Sequence, residues 1–193
     1  MKYALLVIDM QNDFIKDSSE YSCQMLDNNL IQRVKRLIEF SREKEIPIIY
    51  TQHSIRPDKS NAEVGEPEDI RACIVRTNGW EIINELKPYR SDYILKKDKY
   101  DAFYGTELGY LLRRDEIDIV IICGVLTNNC VRATAEGAHY RGFKIIIVKD
   151  CCGATSYLDD MTHEQIHYIT LIDMKERMYE TRLLKLDKIL EVI

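Results

Sequence analysis

The chain has 193 residues, of which 46% are hydrophobic and 31% are charged, with only 8 glycines and 4 prolines. This length and composition predict one globular domain over residues 1–193 and exclude a disordered, fibrous or low-complexity protein. The formal net charge of −5 gives no sign of a basic surface for a phosphate backbone, so we do not expect nucleic-acid binding. No apolar stretch has the length of a membrane span or a signal peptide, so we expect a cytoplasmic protein without a membrane partner.

Five short apolar runs predict strands. They lack the alternation of apolar and polar residues that marks a half-exposed strand. Continuous apolar character is typical of strands that are covered on both faces, as in a parallel sheet. In chain order the runs are residues 4–8, 47–50, 93–95, 117–123 and 143–148, of which 93–95 is the weakest.

Stretches with helical spacing separate these runs. The clearest helix is predicted over 30–40, where Leu30, Val34 and Leu37 lie on one apolar stripe. The alternation of strands and helices predicts an α/β fold, a three-layer α/β/α sandwich with a mostly parallel, Rossmann-like central sheet. The remaining predicted helices are 105–114, 128–140, 162–178 and 187–192, and the polar segments 13–23 and 54–77 are predicted to be site-forming loops.

Three chemically active side chains end or follow different predicted strands. Asp9 follows the first run, Lys97 follows the run 93–95, and Cys130 begins the helix after the run 117–123. Because ligands bind beyond the carboxyl ends of parallel strands, we expect these side chains to meet at one edge of the sheet. A helix N-terminus favours the thiolate of a cysteine, and its free amides can hold an oxyanion.

Each of these residues also has a simple structural interpretation. Cys130 can be a small buried hydrophobic residue, Asp9 a capping residue and Lys97 part of a solvated turn. The six cysteines show no paired CxxC spacing, so we expect free thiols and neither a structural zinc site nor a disulfide framework.

Three sequence blocks contain the three side chains: LVIDMQNDF at 6–14, KDKYDAFYGTEL at 97–108 and GVLTNNCV at 124–131. In this order the blocks resemble the isochorismatase-like superfamily of cysteine hydrolases, which includes nicotinamidases and carbamoylsarcosine, biuret and ureidoacrylate hydrolases. The resemblance implies a catalytic triad of Asp9, Lys97 and Cys130. It also implies a cis peptide bond between Val125 and Leu126, and an oxyanion hole formed by the backbone amides of Leu126 and Cys130.

The function implied by the resemblance is hydrolysis of a small carboxamide, carbamoyl or ureido compound with release of ammonia or an amine. Asp9 would accept the proton of Cys130, and a thioester would form on the sulfur. No cofactor is expected, the partner is a small-molecule amide, and the superfamily implies a homo-oligomer, a dimer or a tetramer. Alternatives are a nicotinamidase-like or isochorismatase-like hydrolase with another small substrate, or a non-catalytic redox or interaction protein of the same fold.

The sequence differs from that of nicotinamidases at the position of their metal site. Those enzymes carry an Asp-x-His stretch, and the matching residues here are Thr51, Gln52 and His53. We therefore predict no catalytic metal and rank nicotinamide below other amides. Retention of Cys130 favours amide chemistry over the vinyl-ether cleavage of true isochorismatases, which does not need the cysteine.

Candidate substrate-binding residues fall near the predicted site, although each could equally be a core or surface residue. The aromatic candidates for a small apolar pocket are Phe14, Trp80, Phe103 and Tyr104. The candidates for a cationic or polar anchor are His53, Arg56 and Arg76. The remaining histidines lie on helical patterns and are predicted to be surface residues: His139, His163 and His167.

Overall fold

The computed structural model describes residues 1–16, 22–24, 29–62 and 72–193. Its centre is one parallel sheet of six strands. The strands are β1 (Tyr3–Ile8), β2 (Ile48–His53), β3 (Tyr93–Lys97), β4 (Ile119–Val125), β5 (Lys144–Gly153) and β6 (Arg182–Leu184). Their order across the sheet is β3-β2-β1-β4-β5-β6, so the chain reverses its direction of winding between β3 and β4.

Helices cover both faces of the sheet. None of the helices within the described ranges is both long and apolar enough to cross a membrane. The helices are α1 (Asn12–Ile15), α2 (Leu30–Glu43), α3 (Leu108–Arg114), α4 (Arg132–His139), α5 (His163–Arg177) and α6 (Leu186–Val192). A 3₁₀ turn at Asn84–Leu86 and a π-helical turn at Thr127–Val131 complete the described elements.

Two apolar clusters fill the space between the sheet and its helices, one on each face of the sheet. Successive residues of a strand point to opposite faces, so Leu5 and Val7 of β1 lie in one cluster and Leu6 and Ile8 lie in the other. The first cluster packs against α2 and α6, and the second packs against α3, α4 and α5. This arrangement confirms the predicted three-layer sandwich, with a sheet that is parallel throughout the described strands.

The sequence predicts five of the six strands and misses β6. This strand has only three residues, Arg182–Leu184, and it pairs with β5 alone at the edge of the sheet. Because β6 is only partly buried, its residues do not need to be apolar, and the sequence contains no apolar run long enough to predict it. β5 also extends to Gly153, beyond the apolar run that ends at 148, because Cys152 and Gly153 still pair with β4.

The first turns of two helices differ from the prediction. The helix predicted over 105–114 begins at Leu108, and Gly105 has a φ of 66°, outside helical geometry. The helix predicted over 128–140 consists of the π-helical turn followed by α4, which ends at His139. In both cases the helix core is confirmed and its first turn has another geometry.

The two predicted loops are only partly described. In the loop predicted over 13–23, Asp13 already belongs to α1, and residues 17–21 lie outside the described residues. In the loop predicted over 54–77, residues 63–71 lie outside them, and a single bridge pairs Ile55 with Ile74. The described parts of this loop approach the carboxyl edge of β1 and β2, where the candidate site lies.

Candidate active site

Asp9, Lys97 and Cys130 meet at the carboxyl edge of the sheet. The Nζ atom of Lys97 lies 2.7 Å from Oδ2 of Asp9 and 3.3 Å from Sγ of Cys130. Asp9 follows β1, Lys97 ends β3 and Cys130 lies in the turn after β4, so three separate strands position the cluster. The side chains of Asp9 and Lys97 are fully buried, and Cys130 is 4% exposed. The structure therefore brings together all three residues that the sequence singles out.

Thr51 fixes the carboxylate of Asp9. Its hydroxyl donates a hydrogen bond to Oδ1 of Asp9 at 2.6 Å and accepts one from the Asp9 backbone N–H at 3.1 Å. Asp9 has a φ of 47°, a left-handed conformation that aspartate adopts more readily than most residues. Thr51 replaces the first residue of the Asp-x-His stretch, and in this chain it contacts the carboxylate. No pattern in the sequence around Thr51 signals this contact.

The charges in the cluster follow from burial and proximity. Burial alone would raise the pKa of Asp9, but the Lys97 ammonium and the Thr51 hydrogen bond hold that pKa below its ordinary value. Burial alone would lower the pKa of Lys97, but the neighbouring Asp9 and Cys130 raise it well above its ordinary value. At neutral pH the pair is therefore a carboxylate and an ammonium.

Cys130 differs from the expectation of a resting thiolate. Burial raises the pKa of its thiol well above the ordinary value, Asp9 raises it further, and Lys97 only partly offsets both. The residue lies within the π-helical turn Thr127–Val131 and not at the free N-terminus of a helix. The resting sulfur is therefore a protonated thiol next to a carboxylate that can accept its proton.

Gly124 allows the turn that contains Cys130 to approach β1. Its φ is 114°, and a Cβ atom at this position would lie 2.1 Å from the carbonyl oxygen of Ile8. The peptide bond between Val125 and Leu126 is cis. The Leu126 carbonyl then accepts hydrogen bonds from the backbone N–H groups of Asn129 and Val131. These contacts hold the turn that contains Cys130 against the end of β1.

The residues after Asp9 hold the neighbouring loop in place. Nε2 of Gln11 donates to the carbonyl oxygens of His53 at 2.9 Å and Trp80 at 2.7 Å. Oδ2 of Asp13 accepts a hydrogen bond from the Cys73 backbone N–H at 2.6 Å. The first sequence block therefore supplies the carboxylate of Asp9 and also the side chains that orient the adjoining loop. Only the position of these residues within that block signals their role.

His53 lies beside the cluster as a neutral ring. It is 6% exposed, and burial together with the nearby Lys97 ammonium lowers its pKa to about 4. His53 therefore does not supply a cation at neutral pH. The expectation that it could be a cationic anchor is wrong, and only a neutral polar anchor remains. Within the described part of the chain, Nδ1 of His53 is buried and has no hydrogen-bond partner. The ring therefore contains a polar atom that is enclosed by the protein and that no described side chain satisfies.

The other predicted binding residues divide between the site, the core and the surface. Phe14 is buried, and its ring centroid lies 6.3 Å from that of His53. Trp80 is half-buried and donates from Nε1 to the hydroxyl of Ser54 at 2.8 Å. Phe103 is buried and stacks on Phe143 in the cluster under α3 and α4. The exposed members of the predicted set are Tyr104, Arg56 and Arg76.

His167 corrects a further expectation. It is predicted at the surface, but it is 9% exposed, and its Nδ1 lies 2.9 Å from the hydroxyl of Thr127. Since Thr127 begins the turn that contains Cys130, α5 supports this turn from outside the site. His139 and His163 are partly exposed.

No group of three or more His, Cys, Asp or Glu side chains within the described ranges is arranged to hold a metal ion. All six cysteines are buried, and none of them forms a disulfide within the described residues.

Comparisons with known proteins identify the family of the chain. The isochorismatase domain profile matches residues 3–178. The chain is 32% identical over 157 residues to YaaI, an uncharacterized isochorismatase family protein of Bacillus subtilis (strain 168), covering 81% of this chain and 83% of YaaI. It is 31% identical over 163 residues to nicotinamidase 3 of Arabidopsis thaliana, covering 83% of this chain and 76% of that protein.

The fold also matches solved structures. The crystal structure of a cysteine hydrolase from Pseudomonas syringae pv. phaseolicola 1448A has a TM-score of 0.89 and 23% identity, covering 98% of this chain and 91% of that chain. The fold, the domain match over most of the sequence and two relatives above 30% identity lead to one conclusion: this chain belongs to the isochorismatase family of hydrolases.

Proposed function

We propose that this chain is a cysteine amidase that hydrolyses a small carboxamide, carbamoyl or ureido compound through a thioester on Cys130. The observation that supports this proposal most directly is the contact of one buried ammonium, Lys97 Nζ, with both Asp9 and Cys130. A buried charged cluster costs stability unless it is well paired, and such clusters with shifted pKa values are concentrated at active sites. The similarity to nicotinamidase 3, an amidase by name, favours amide chemistry.

In the first half-reaction the Cys130 sulfur attacks the carbonyl carbon of the substrate, and Asp9 accepts the thiol proton. Because the thiol pKa lies above that of Asp9, the proton does not transfer in the resting enzyme. Transfer becomes favourable only as the sulfur forms its bond to carbon, so the two events are coupled. Lys97 contacts both groups and offsets negative charge on either one.

The tetrahedral intermediate then collapses to the thioester. In this proposal the backbone amides of Leu126 and Cys130 stabilise its oxyanion. Asp9 returns the proton to the leaving nitrogen, the carbon–nitrogen bond breaks, and ammonia or an amine departs. Asp9 next accepts a proton from water, whose oxygen attacks the thioester carbonyl. Release of the acid restores the thiol and the carboxylate.

His53 and Phe14 support a substrate that is neutral and polar beside the scissile bond. Phe14 offers an apolar ring, and the unpartnered Nδ1 of His53, which is enclosed in this structure, forms one hydrogen bond with a substrate once the site opens to admit it. A site that is built to hydrogen-bond a substrate rejects analogues without the matching atom, because its own polar group would stay unpaired. We therefore assign substrate discrimination in this site to His53.

The test is an ammonia-release assay of the purified protein on a panel of carboxamides, N-carbamoyl compounds and ureido compounds that includes nicotinamide. We expect Cys130→Ala to lower turnover of the best substrate at least about 10³-fold, since the nucleophile is absent. Cys151→Ala removes a buried thiol on the other face of the sheet, so it is the matched control and should retain turnover.

Intact mass spectrometry during turnover identifies the intermediate. We expect an acyl adduct on wild-type protein that is absent from Cys130→Ala. Turnover that persists in Cys130→Ala, or an adduct on another residue, would contradict the assignment of the nucleophile.

A further inference from the structure

Helix α5 carries apolar side chains on two faces. Its inner face, which includes Leu171 and Met174, packs against the second apolar cluster. Its outer face carries Tyr168, Ile169 and Ile172, which are 66%, 52% and 39% exposed. A helix that is apolar on all sides is normally buried on all sides. The outer face of α5 therefore has the composition of a covered surface, although it is exposed in the single chain.

Helix α2 shows that such exposure is not a general property of the helices in this fold. It has 14 residues and α5 has 15, so the two helices have nearly the same length. The fully exposed residues of α2 are all polar: Gln32, Lys35, Arg36, Glu39 and Glu43. Single exposed apolar residues are common on protein surfaces, whereas adjoining ones form a patch that marks an interaction site. The contrast indicates that α5 has a partner.

Charged residues lie at both ends of this patch. Glu164 lies in the first turn of α5 and Lys175 lies in its last turn, and both are exposed. In the order Glu164, Tyr168, Ile172 and Lys175, neighbours are three or four residues apart, so all four lie along one side of the helix. Glu176, the next residue, lies about 100° further round the helix. This side of α5 is therefore acidic at one end, apolar in the middle and basic at the other end.

The pattern is complementary to itself. If two copies of α5 pack antiparallel about a two-fold axis, the first turn of each helix lies opposite the last turn of the other. Glu164 then meets Lys175 of the partner subunit, and the midpoint between these two positions falls beside Ile169. Apolar side chains would form the centre of the contact and opposite charges its rim, which is the usual composition of a protein interface.

Glu164 keeps its capacity for such a pair. Its Oε1 lies 2.7 Å from Nε2 of His163 in the same helix, and its side chain is 62% exposed. An ionised carboxylate accepts up to about four hydrogen bonds. The contact with His163 therefore leaves room for an ammonium group from a second chain.

We propose that the outer face of α5 binds a second copy of this chain, in an antiparallel pair of α5 helices centred on Ile169. A standard stable interface buries roughly 800 Å² on each partner, and smaller interfaces are typical of transient complexes. Because one helix pair is a small contact, we expect a dissociation constant in the micromolar range, about 1–100 μM. The proposal does not depend on the proposed amidase activity.

Sedimentation equilibrium of the purified protein, at concentrations below and above this range, measures the dimer. We expect the mass to rise from that of one chain toward that of two. Ile169→Arg places two like charges at the centre of the contact and should raise the dissociation constant about 100-fold or more. Ile94→Arg is the matched control, because Ile94 is 50% exposed on β3, at the opposite edge of the sheet from β6. This control should dimerise as wild type does.

Charge exchange tests the antiparallel orientation. Glu164→Lys and Lys175→Glu each bring like charges together, and each should raise the dissociation constant about tenfold or more. The double variant Glu164→Lys/Lys175→Glu exchanges the two charges, so its dissociation constant should return to within about threefold of wild type. An equimolar mixture of the two single variants should also dimerise, because each pair across the interface again joins opposite charges. Urea midpoints close to that of wild type show that the variants remain folded.

Three results would overturn the proposal. The first is a protein that stays monomeric over the whole concentration range, as expected if a different partner covers α5. The second is a dimer that Ile169→Arg leaves intact, since α5 would then not form its interface. The third is a double charge exchange that dimerises no better than the single variants, which would contradict the pairing of Glu164 with Lys175 of the partner subunit.

Discussion

The two edges of the sheet each hold a lysine–carboxylate pair, and the pairs differ mainly in their exposure to water. At the amino edge, Lys2 Nζ lies 2.6 Å from Oε2 of Glu116, with side chains 59% and 77% exposed. At the carboxyl edge, Lys97 Nζ lies 2.7 Å from Oδ2 of Asp9, with both side chains fully buried. Water screens the first pair, whereas the second has lost its hydration and depends on its partner. The distance between the charges is therefore a poor guide to the importance of a pair.

Removal of one buried charge should have the largest effect. Lys97→Met leaves the Asp9 carboxylate buried without its cation, and we expect a loss of about 3–5 kcal/mol in the free energy of unfolding together with loss of turnover. Asp9→Asn should also abolish turnover, because an amide cannot accept the thiol proton. Urea denaturation and the ammonia assay measure the two effects.

The double variant Asp9→Asn/Lys97→Met separates stability from catalysis. It contains neither buried charge, so we expect it to recover much of the stability lost in Lys97→Met while remaining inactive. A Lys97→Met protein as stable as wild type would show that burial does not make this pair interdependent.

The second expected effect concerns pH. Burial and the nearby Lys97 lower the pKa of His53 from 6.5 to about 4, so the unfolded chain binds a proton in this range that the folded chain does not. Stability should therefore fall as the pH drops from about 6.5 to 4, by about 3 kcal/mol for this one group. Asp9 affects stability only at lower pH, because its pKa in the folded protein lies below the ordinary value of 3.8. The stability that its ionised carboxylate contributes is lost as the pH falls from 3.8 through this lower pKa.

His53→Asn measures this contribution, because it removes the titrating ring and keeps a polar side chain. Urea denaturation between pH 7 and 4.5 should show a smaller pH dependence in the variant than in wild type. The difference between the two proteins is the relevant quantity, since burial also lowers the pKa of His167. Equal slopes in both proteins would show that His53 does not titrate as proposed.

The smallest effect is expected at the amino edge. Lys2→Gln removes a pair that is well exposed on both sides, so we expect no measurable change in the urea midpoint at physiological salt and no change in turnover. This variant is the surface counterpart of Lys97→Met. If it destabilised the protein as much as Lys97→Met does, exposure to water would not be what distinguishes the two edges.

Most of the sheet is predictable from the sequence, because burial on both faces leaves a continuous apolar run. The runs at 4–8 and 117–123 locate β1 and β4 for this reason. Strand β6 is not predictable in this way, because it is covered only at the sheet edge. The first turn of a helix is also difficult to predict, since its geometry depends on packing, as the contact between Thr127 and His167 shows.

The site also contains residues that can be predicted from the sequence and residues that cannot. Asp9, Lys97 and Cys130 can be predicted because each ends or follows a different strand at the converging carboxyl ends, and because the three sequence blocks that contain them resemble one family. Thr51 and the unpartnered nitrogen of His53 cannot, because their roles depend on neighbours that are distant along the chain. A pattern in the sequence shows which edge holds the side chains, whereas their ionisation depends on how deeply the fold buries them.

The contact between Gly124 and Ile8 sets a limit for redesign of this protein. Gly124 pairs with Ile8 across β1 and β4, and a side chain at this position would overlap the Ile8 backbone, so the turn that contains Cys130 keeps its place beside β1 only with glycine here. For the proposed amidase, a larger substrate therefore has to be accommodated by changes in the loop beyond β2, since widening the gap between these two strands would separate Asp9 from Cys130.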